Sequence, residues 1–331
     1  MKTVRWGIIA TGGIAAKFAE ACAFESARTG KSILAAVASR NGSKAKEFAA
    51  KWSIPRAYGD YADLFADPEV DAVYIATPHN SHPELSIAAL RAGKAVLCEK
   101  PVSITGAEFA PVIETARAEK RFFMEAMWMK FNPAVRKAMS WIESGRIGAV
   151  KYVKADFFLD APFNPASRLY DPALGGGALL DVGIYPVTFA VIAAGRRKPD
   201  HISSLIRRGE TGVDVFNRAF LSWADGPVAD LSSAINLQGM EETRSAVVIG
   251  EKGSIVLPFF WMAQEASLLD SAGKVSEHFS APFDCNGYEY EIREVEYCMD
   301  LSATESSVQT WADSVMVMDI LDEIRTVARN E

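Results

Sequence analysis

The sequence predicts an α/β protein in two parts: an N-terminal domain on a doubly wound parallel sheet, then a C-terminal α+β domain with a large, mostly antiparallel open sheet. Three observations carry that expectation. The first 125 residues alternate short apolar runs with helix-like segments, the pattern of repeated strand–helix–strand units. After Asn132 the pattern changes to strand-like runs separated by turn signals. The chain has 331 residues, long for one compact domain and comfortable for two. The expected domains are 1–125 and 126–331.

Val4 to Ile9 is a short apolar run, as in a strand buried on both faces. Met1 and Lys2 lead straight into it, so no secretory leader is expected. Ile14 to Ala23 is alanine-rich and helical, and Ile33 to Ala38 is a second strand. Ser43 is the expected N-cap of a helix through Lys51. Ala72 to Ile75 is a strand, and Pro83 fits the first turn of a helix ending at Ala92 and Gly93. Ala95 to Cys98, Thr105 to Glu119 and Phe122 to Glu125 complete the first part as strand, helix and strand. In the second part, Pro133 to Ser144 and Leu179 to Ala193 are helical and Tyr152 to Phe158 is a strand. Strands follow at His201–Ile206, Val215–Trp223, Val228–Ile235, Ser245–Ile249 and Ser254–Leu257, with turn signals such as Asp225-Gly226-Pro227 between them. Helices near Tyr288–Leu301 and Thr310–Arg329 close the chain.

Composition removes several classes of function. A net charge of −7 gives no basic footprint for nucleic acid and disfavours an anionic membrane surface. The most apolar stretch, Ala178 to Gly195, carries Asp181 and Pro186 and is short for a bilayer, so a buried helix is expected. Cys22, Cys98, Cys285 and Cys298 form no C-x-x-C pair, and His79, His82, His201 and His278 complete no zinc pattern with them. No metal site is expected, and reduced thiols point to the cytoplasm.

Four stretches carry chemistry. The turn Ile9-Ala10-Thr11-Gly12-Gly13-Ile14-Ala15 follows a strand and opens a helix, the setting of the Rossmann fingerprint G-x-G-x-x-G/A. Ala10, Gly12 and Ala15 take its three positions, and Gly12 supplies the close approach to a pyrophosphate. At the end of the second strand, NAD-preferring sites place an acid for the ribose 2′-OH. Here Ser39 and Arg40 offer a hydroxyl and a guanidinium suited to a 2′-phosphate, with Lys44 nearby, which favours NADP over NAD. Cys98-Glu99-Lys100-Pro101 ends another strand and aims a lysine at the cleft. Gly175-Gly176-Gly177 leads into Asp181 and Tyr185, which share one face if the segment is α-helical. An aspartate in so apolar a stretch needs a partner and is a site candidate.

These residues resemble the glucose-fructose oxidoreductase / inositol dehydrogenase / rhizopine catabolism (Gfo/Idh/MocA) family. Glu99-Lys100-Pro101 with Asp181-x-x-x-Tyr185 carries the resemblance, with Thr77-Pro78-His79-Asn80-Ser81-His82 and Glu125-Ala126-Met127-Trp128 adding to it. Within the family the chain looks most like the dimeric dihydrodiol dehydrogenases and NADP-dependent D-xylose dehydrogenases. Many members have histidine where this chain has Tyr185, whereas that branch has tyrosine.

The resemblance implies a catalytic pair, Lys100 and Tyr185, with Asp181 alongside to bind a second substrate hydroxyl or to hold Lys100. Tyr185 would exchange the proton and the Lys100 ammonium would stabilise its phenolate. The implied cofactor contacts are Thr11, Gly12, Gly13, Ile14, Ser39 and Arg40. Around the nicotinamide side they continue with Thr77, Pro78, Asn80, His82, Glu99, Lys100 and Pro101. Trp128, Phe157, Trp261 and Phe283 match an aromatic substrate pocket. The implied reaction is hydride transfer between NADP and a hydroxyl carbon of a sugar, cyclic polyol or dihydrodiol, in either direction. The implied assembly is a homodimer through the open face of the second sheet. Two alternatives stand beside this reading: an NADP- or sugar-sensing regulatory protein without turnover, and an NAD-dependent glycosidase.

Overall fold

The computed structural model describes residues 3–330, so Met1 and Lys2 lie outside the described residues. The chain divides into two compact units, one of Met1–Trp128 with Phe283–Ser314 and one of Met129–Pro282 with Val315–Glu331.

The first unit is built on six strands: β1 Val4–Ile9, β2 Ser32–Ala38, β3 Arg56–Tyr58, β4 Ala72–Ile75, β5 Ala95–Glu99 and β6 Phe123–Ala126. They lie in the order β3-β2-β1-β4-β5-β6, and every pairing is parallel. This is the expected doubly wound sheet, with its switch point between β1 and β4. β4 and β5 are buried at every residue, which is why they read as continuous apolar runs. The helices are α1 Gly13–Thr29, α2 Gly42–Trp52, α3 Tyr61–Ala66, α4 His82–Arg91 and α5 Gly106–Glu119. Phe18 of α1 stacks on Tyr74 of β4 at 3.8 Å between ring centres and meets the edge of Trp6 at 5.1 Å, which fastens the helix to the sheet. α1 runs six residues past its expected end, to Thr29, and Gly30 with φ 70° closes it. The cap of α2 is Asn41 and not Ser43: its side chain accepts from the N–H groups of Ser43 and Lys44 at 3.0 and 3.2 Å. β3 and α3 went unanticipated because three and six residues are too short to show a period.

The second unit contains α6 Pro133–Glu143, β7 Val150–Phe158 and α7 Ile184–Ala193. It continues with β8 His201–Arg208, β9 Asp214–Ser222, β10 Val228–Ala234, β11 Ser245–Gly250 and β12 Gly253–Pro258. Two further strands, β13 Glu265–Asp270 and β14 Val275–Ser280, were not expected. β14 is the edge strand and has no buried residue, and β13 beside it buries only Ala266 and Leu268. With β15 Arg329–Asn330 the sheet has nine strands in the order β14-β13-β12-β11-β7-β10-β9-β8-β15. Its pairings are antiparallel except β7 with β10 and β8 with β15. One face is a core that includes Val153, Ala155, Leu221, Val248 and Ile255; Phe220 and Ile249 stand exposed on the other. The apolar stretch reaching α7 is long and apolar enough to cross a membrane, but 89% of its window is buried inside the fold, as in a core helix. It is not one continuous α-helix: Leu179–Gly183 form a π-turn before α7 begins.

The chain then adds α8 Glu289–Asp300 to the first unit, and α9 Trp311–Val327 follows. Arg293 of α8 pairs at 2.6 Å with Glu25 of α1, a fully buried carboxylate that also binds Arg28. The open edge of β6 is closed by the same segment: the Phe123 N–H donates to Thr304, and the Trp311 indole donates to the Phe123 carbonyl. Buried Glu125 accepts from Gln309 and Ser314 at 3.0 and 2.7 Å.

Glu291 of α8 is fully buried, and neither of its side-chain oxygens has a hydrogen-bond partner among the described residues. Burial, then the negative charges of Glu99 and Glu289, hold its carboxyl well above the usual range. An acid raised in this way binds its proton more tightly folded than unfolded. Its contribution to stability is therefore present at low pH and lost as pH rises from about 4.3 toward the folded value. Glu291→Gln should raise Tm relative to the parent by more at pH 8 than at pH 5, read by differential scanning fluorimetry. A difference in Tm that does not change with pH contradicts the assignment.

Candidate active site

In the first unit the site begins where β1 ends. Ala10 adopts φ 86°, a glycine-like value, and its N–H donates to the Ala38 carbonyl at 2.9 Å. The tight turn of the fingerprint is thus made although its first glycine is absent. Gly12 is the N-cap of α1 and supplies no side-chain acceptor, so the first N–H groups of the helix are left for an outside partner. A Cβ added at Gly12 or Gly13 would meet nothing within 4 Å. That open surface over a helix start is suited to a pyrophosphate.

A cavity of about 770 Å³ lies over this turn. Thr11, Gly12 and Gly13 form one side, Thr77 and Pro78 another, and Ser39 and Arg40 a third. Asn41, Lys44 and Lys51 also reach it, so three cations of α2 and the loop before it face one end. Ile14, 36% exposed on α1, and Asn80, in the short 3₁₀ turn His79–Ser81, lie outside the cavity wall. The residues present fit a dinucleotide with a phosphorylated ribose: helix N–H groups for the pyrophosphate, then hydroxyl, guanidinium and ammonium groups at the ribose end.

The loops after β4 and β5 are tied together by His82, which is fully buried. Its Nδ1 lies 2.7 Å from the Pro101 carbonyl and its Nε2 lies 2.8 Å from the Thr77 carbonyl. At the end of β5 the Glu99 carboxylate accepts from the Tyr74 hydroxyl, and its second oxygen accepts the N–H of Lys100 at 3.2 Å. Burial, with the Glu99 charge beside it, raises the Tyr74 phenol well above its ordinary value, so it stays a donor. Lys100 is half-buried at the carboxyl edge of the sheet, and the Lys100–Pro101 bond is cis. Beyond β6, Trp128 stacks on Tyr288 at 5.1 Å and tilts against Phe283 at 6.1 Å.

The second unit holds the other candidates. Asp181 is buried in the π-turn and accepts from Arg168 at 2.8 Å. Tyr185 is buried in the first turn of α7, with its ring 5.8 Å from Phe157. Phe157 in turn stacks on Trp261 at 3.6 Å and 14°. The four expected pocket aromatics therefore form two pairs, Trp128 with Phe283 in one unit and Phe157 with Trp261 in the other. The π-turn between Asp181 and Tyr185 means that α-helical spacing does not set their relative direction. Sequence reasoning missed Arg168, Lys51 and Tyr74. Lys51 was within reach, seven residues beyond Lys44 and so near the same face of α2. The other two meet their partners only through tertiary packing.

The comparisons with known proteins agree with the fold. Residues 4–127 match the Gfo/Idh/MocA model described as an oxidoreductase family with an NAD-binding Rossmann fold, and residues 135–256 match the family's C-terminal domain. The chain is 36% identical over 328 residues to trans-1,2-dihydrobenzene-1,2-diol dehydrogenase of Homo sapiens, covering 97% of this chain and 96% of that one. It is 34% identical over 330 residues to the enzyme of that name from Danio rerio, with the same coverage. Among solved structures, a 3-ketoreductase from Actinomadura kijaniata in complex with NADP and TDP-benzene superposes with TM-score 0.87 at 25% identity over 99% of each chain. An aldose-aldose oxidoreductase from Caulobacter crescentus shares the fold, with TM-score 0.88 at 22% identity over 98% of this chain and 97% of that one. The chain belongs to the Gfo/Idh/MocA family of oxidoreductases, and within it is similar to the trans-1,2-dihydrobenzene-1,2-diol dehydrogenases.

Proposed function

We propose that this oxidoreductase transfers hydride between NADP and the hydroxyl-bearing carbon of a sugar, cyclic polyol or dihydrodiol. The observation that carries the reading is the end of β5, where Glu99 is anchored by Tyr74 and by the Lys100 N–H, so that Lys100 starts from a fixed main chain at the switch-point edge. NADP, when bound, supplies the nicotinamide that gives or takes the hydride. The start of α1 at Gly12 and Gly13 binds its pyrophosphate, with Thr11 and Ile14 beside it. Ser39 and Arg40 take the 2′-phosphate and Lys44 and Lys51 add positive charge, which favours NADP over NAD. Thr77, Pro78 and Asn80 border the nicotinamide side, His82 holds the two loops there, and Glu99 and Pro101 flank the ribose.

Tyr185 takes the hydroxyl proton on oxidation and returns it on reduction. The Lys100 ammonium stabilises the phenolate this requires. Asp181, which pairs with Arg168 within its own unit, binds a second substrate hydroxyl or holds Lys100. The aromatic pairs Trp128–Phe283 and Phe157–Trp261 suit the C–H face of a sugar ring or the ring of a dihydrodiol. Free thiols, three of them buried, fit a reducing compartment and so the cytoplasm.

We also assign a homodimer to the outward face of the nine-stranded sheet. Phe220, Val228 and Ile249 are 43–45% exposed there, around the Arg218–Asp230 ion pair of 2.6 Å. Light scattering should give twice the 36.0 kDa chain mass, and Phe220→Glu with Ile249→Glu should give one chain mass while NADPH still binds. A wild-type monomer rejects the interface.

The activity is tested by absorbance at the NADPH band with aldoses, inositols and trans-1,2-dihydrobenzene-1,2-diol, each with NADP⁺ and with NAD⁺. Turnover should be faster with NADP⁺, and Arg40→Ala should raise the KM for NADP⁺ about tenfold or more while leaving that for NAD⁺. Lys100→Met and Tyr185→Phe should each lower kcat by about 10²–10⁴-fold, with NADPH binding retained by Tyr185→Phe. Silence across the panel, with tight NADPH binding, would instead indicate a sensor.

A further inference from the structure

The turn that carries Asp181 is gripped from below by polar side chains of two neighbouring strands, all within the second unit. Asp214, the first residue of β9, is 9% exposed; its carboxylate accepts the Leu179 N–H at 2.6 Å and the Asn217 side-chain N–H at 3.1 Å. Asn217 and Ser233 face each other across β9 and β10, and the Asn217 amide donates to the Ser233 hydroxyl at 2.6 Å. The Ser233 hydroxyl in turn lies 3.5 Å from the Ala178 carbonyl. Asp214 therefore holds the beginning of the π-turn, and Ser233 touches both ends of it. At the far end, a Cβ on Gly183 would fall 2.7 Å from the Ser233 Oγ. At the near end Gly177 has φ 120°, and a Cβ there would fall 2.2 Å from the Asp214 Oδ1. A carboxylate can approach this closely only because no side chain is present.

Such a support has a mechanical purpose. A π-turn closes its hydrogen bonds one residue later than an α-helix and is rare, occurring mostly as a single turn at functional sites. Relaxing it to α-helix would shift the register by one residue and swing later side chains about the axis by about 100° relative to earlier ones. Asp181 lies inside the turn and Tyr185 beyond it, so their relative direction depends on the turn. Burial pushes the Asp214 carboxyl up; the Leu179 N–H and the Asn217 amide oppose that shift. A buried carboxylate held by two donors in this way is costly to keep unless it fixes something.

We propose that Asp214, Asn217 and Ser233 are positioning residues that hold Leu179–Gly183 as a π-turn and thereby set the direction of Tyr185 relative to Asp181. The inference rests on the reading of Tyr185 as the proton-exchanging group. All three belong to the second unit and the candidate cofactor residues to the first, so NADPH affinity should not respond to them.

The test compares Asp214→Ala, Asp214→Asn and Ser233→Ala with the parent and with Tyr185→Phe. The first readout is amide hydrogen exchange of peptides spanning residues 178–185, which needs no substrate. Exchange should be about tenfold faster in Asp214→Ala and close to the parent in Asp214→Asn, whose amide oxygen still accepts the Leu179 N–H. The second readout is kinetics with NADP⁺ and the panel substrate turned over fastest. Asp214→Ala should lower kcat about tenfold or more, leave KM and NADPH affinity within about threefold, and recover in Asp214→Asn. If Asp214→Ala does not fold, Ser233→Ala carries the same pair of readouts. Unchanged exchange overturns the grip on the turn. Faster exchange with unchanged kcat overturns its positioning role. Full turnover by Tyr185→Phe faults the acid/base reading instead, and exchange alone then judges the grip.

Discussion

Every strand of the first unit runs in the same direction, so every strand ends on the same edge of the sheet. The reversal of order between β1 and β4 splits that edge and leaves room there for a ligand. The rest of the unit follows from this constraint. The β1 turn presents helix N–H groups, the end of β2 presents Ser39 and Arg40, the β4 loop presents Thr77 and Pro78, and β5 delivers Lys100. Each group needs only a short loop because the sheet has already brought it to the edge. Buried groups then lock those loops: His82 joins the carbonyls of Thr77 and Pro101, and Tyr74 pins Glu99.

The second unit solves a different problem. A carboxylate in a nearly unbroken apolar stretch is expensive, and the fold meets that cost twice. Arg168 neutralises Asp181, and one oxygen of Asp214 accepts from a main-chain and a side-chain N–H. Both acids lie at the one segment of the helix that departs from α-helical hydrogen bonding. The aromatic wall of Phe157 and Trp261 lies against the same segment through Tyr185. Polar expense, irregular backbone and aromatic stacking thus converge on the stretch Gly177–Tyr185.

Much of this was legible in the sequence, and the exceptions have physical causes. β1, β2, β4 and β5 are buried on both faces or nearly so, and such strands must be apolar runs. β13 buries only two residues and β14 none at the end of the sheet, so Glu265-Ala266-Ser267 and Val275-Ser276-Glu277 look like loop. The cap of α2 was placed at Ser43 because serine is a good cap. Asn41 holds that position because the helix begins two residues earlier than that cap implies, at Gly42. Gly12, Arg40 and Thr77 lie around one cavity although dozens of residues separate them, because their motifs each mark a strand end. Arg168 gave no such signal: it lies in a loop without period and meets Asp181 only through the fold. Nor does the period of α8 tell which unit it joins, since Arg293 finds Glu25 across 268 positions.

The central proposal is that Lys100 and Tyr185, carried by different units of the chain, act together on one substrate hydroxyl. The most direct test is a double-mutant cycle on kcat with Lys100→Met, Tyr185→Phe and the combined variant, at saturating NADP⁺ and the panel substrate turned over fastest. If the lysine works by stabilising the tyrosine's phenolate, the second substitution has little left to remove, and the double variant should be about as slow as the slower single variant. Losses that multiply in the double variant would show the two residues acting independently and would contradict the proposed pair.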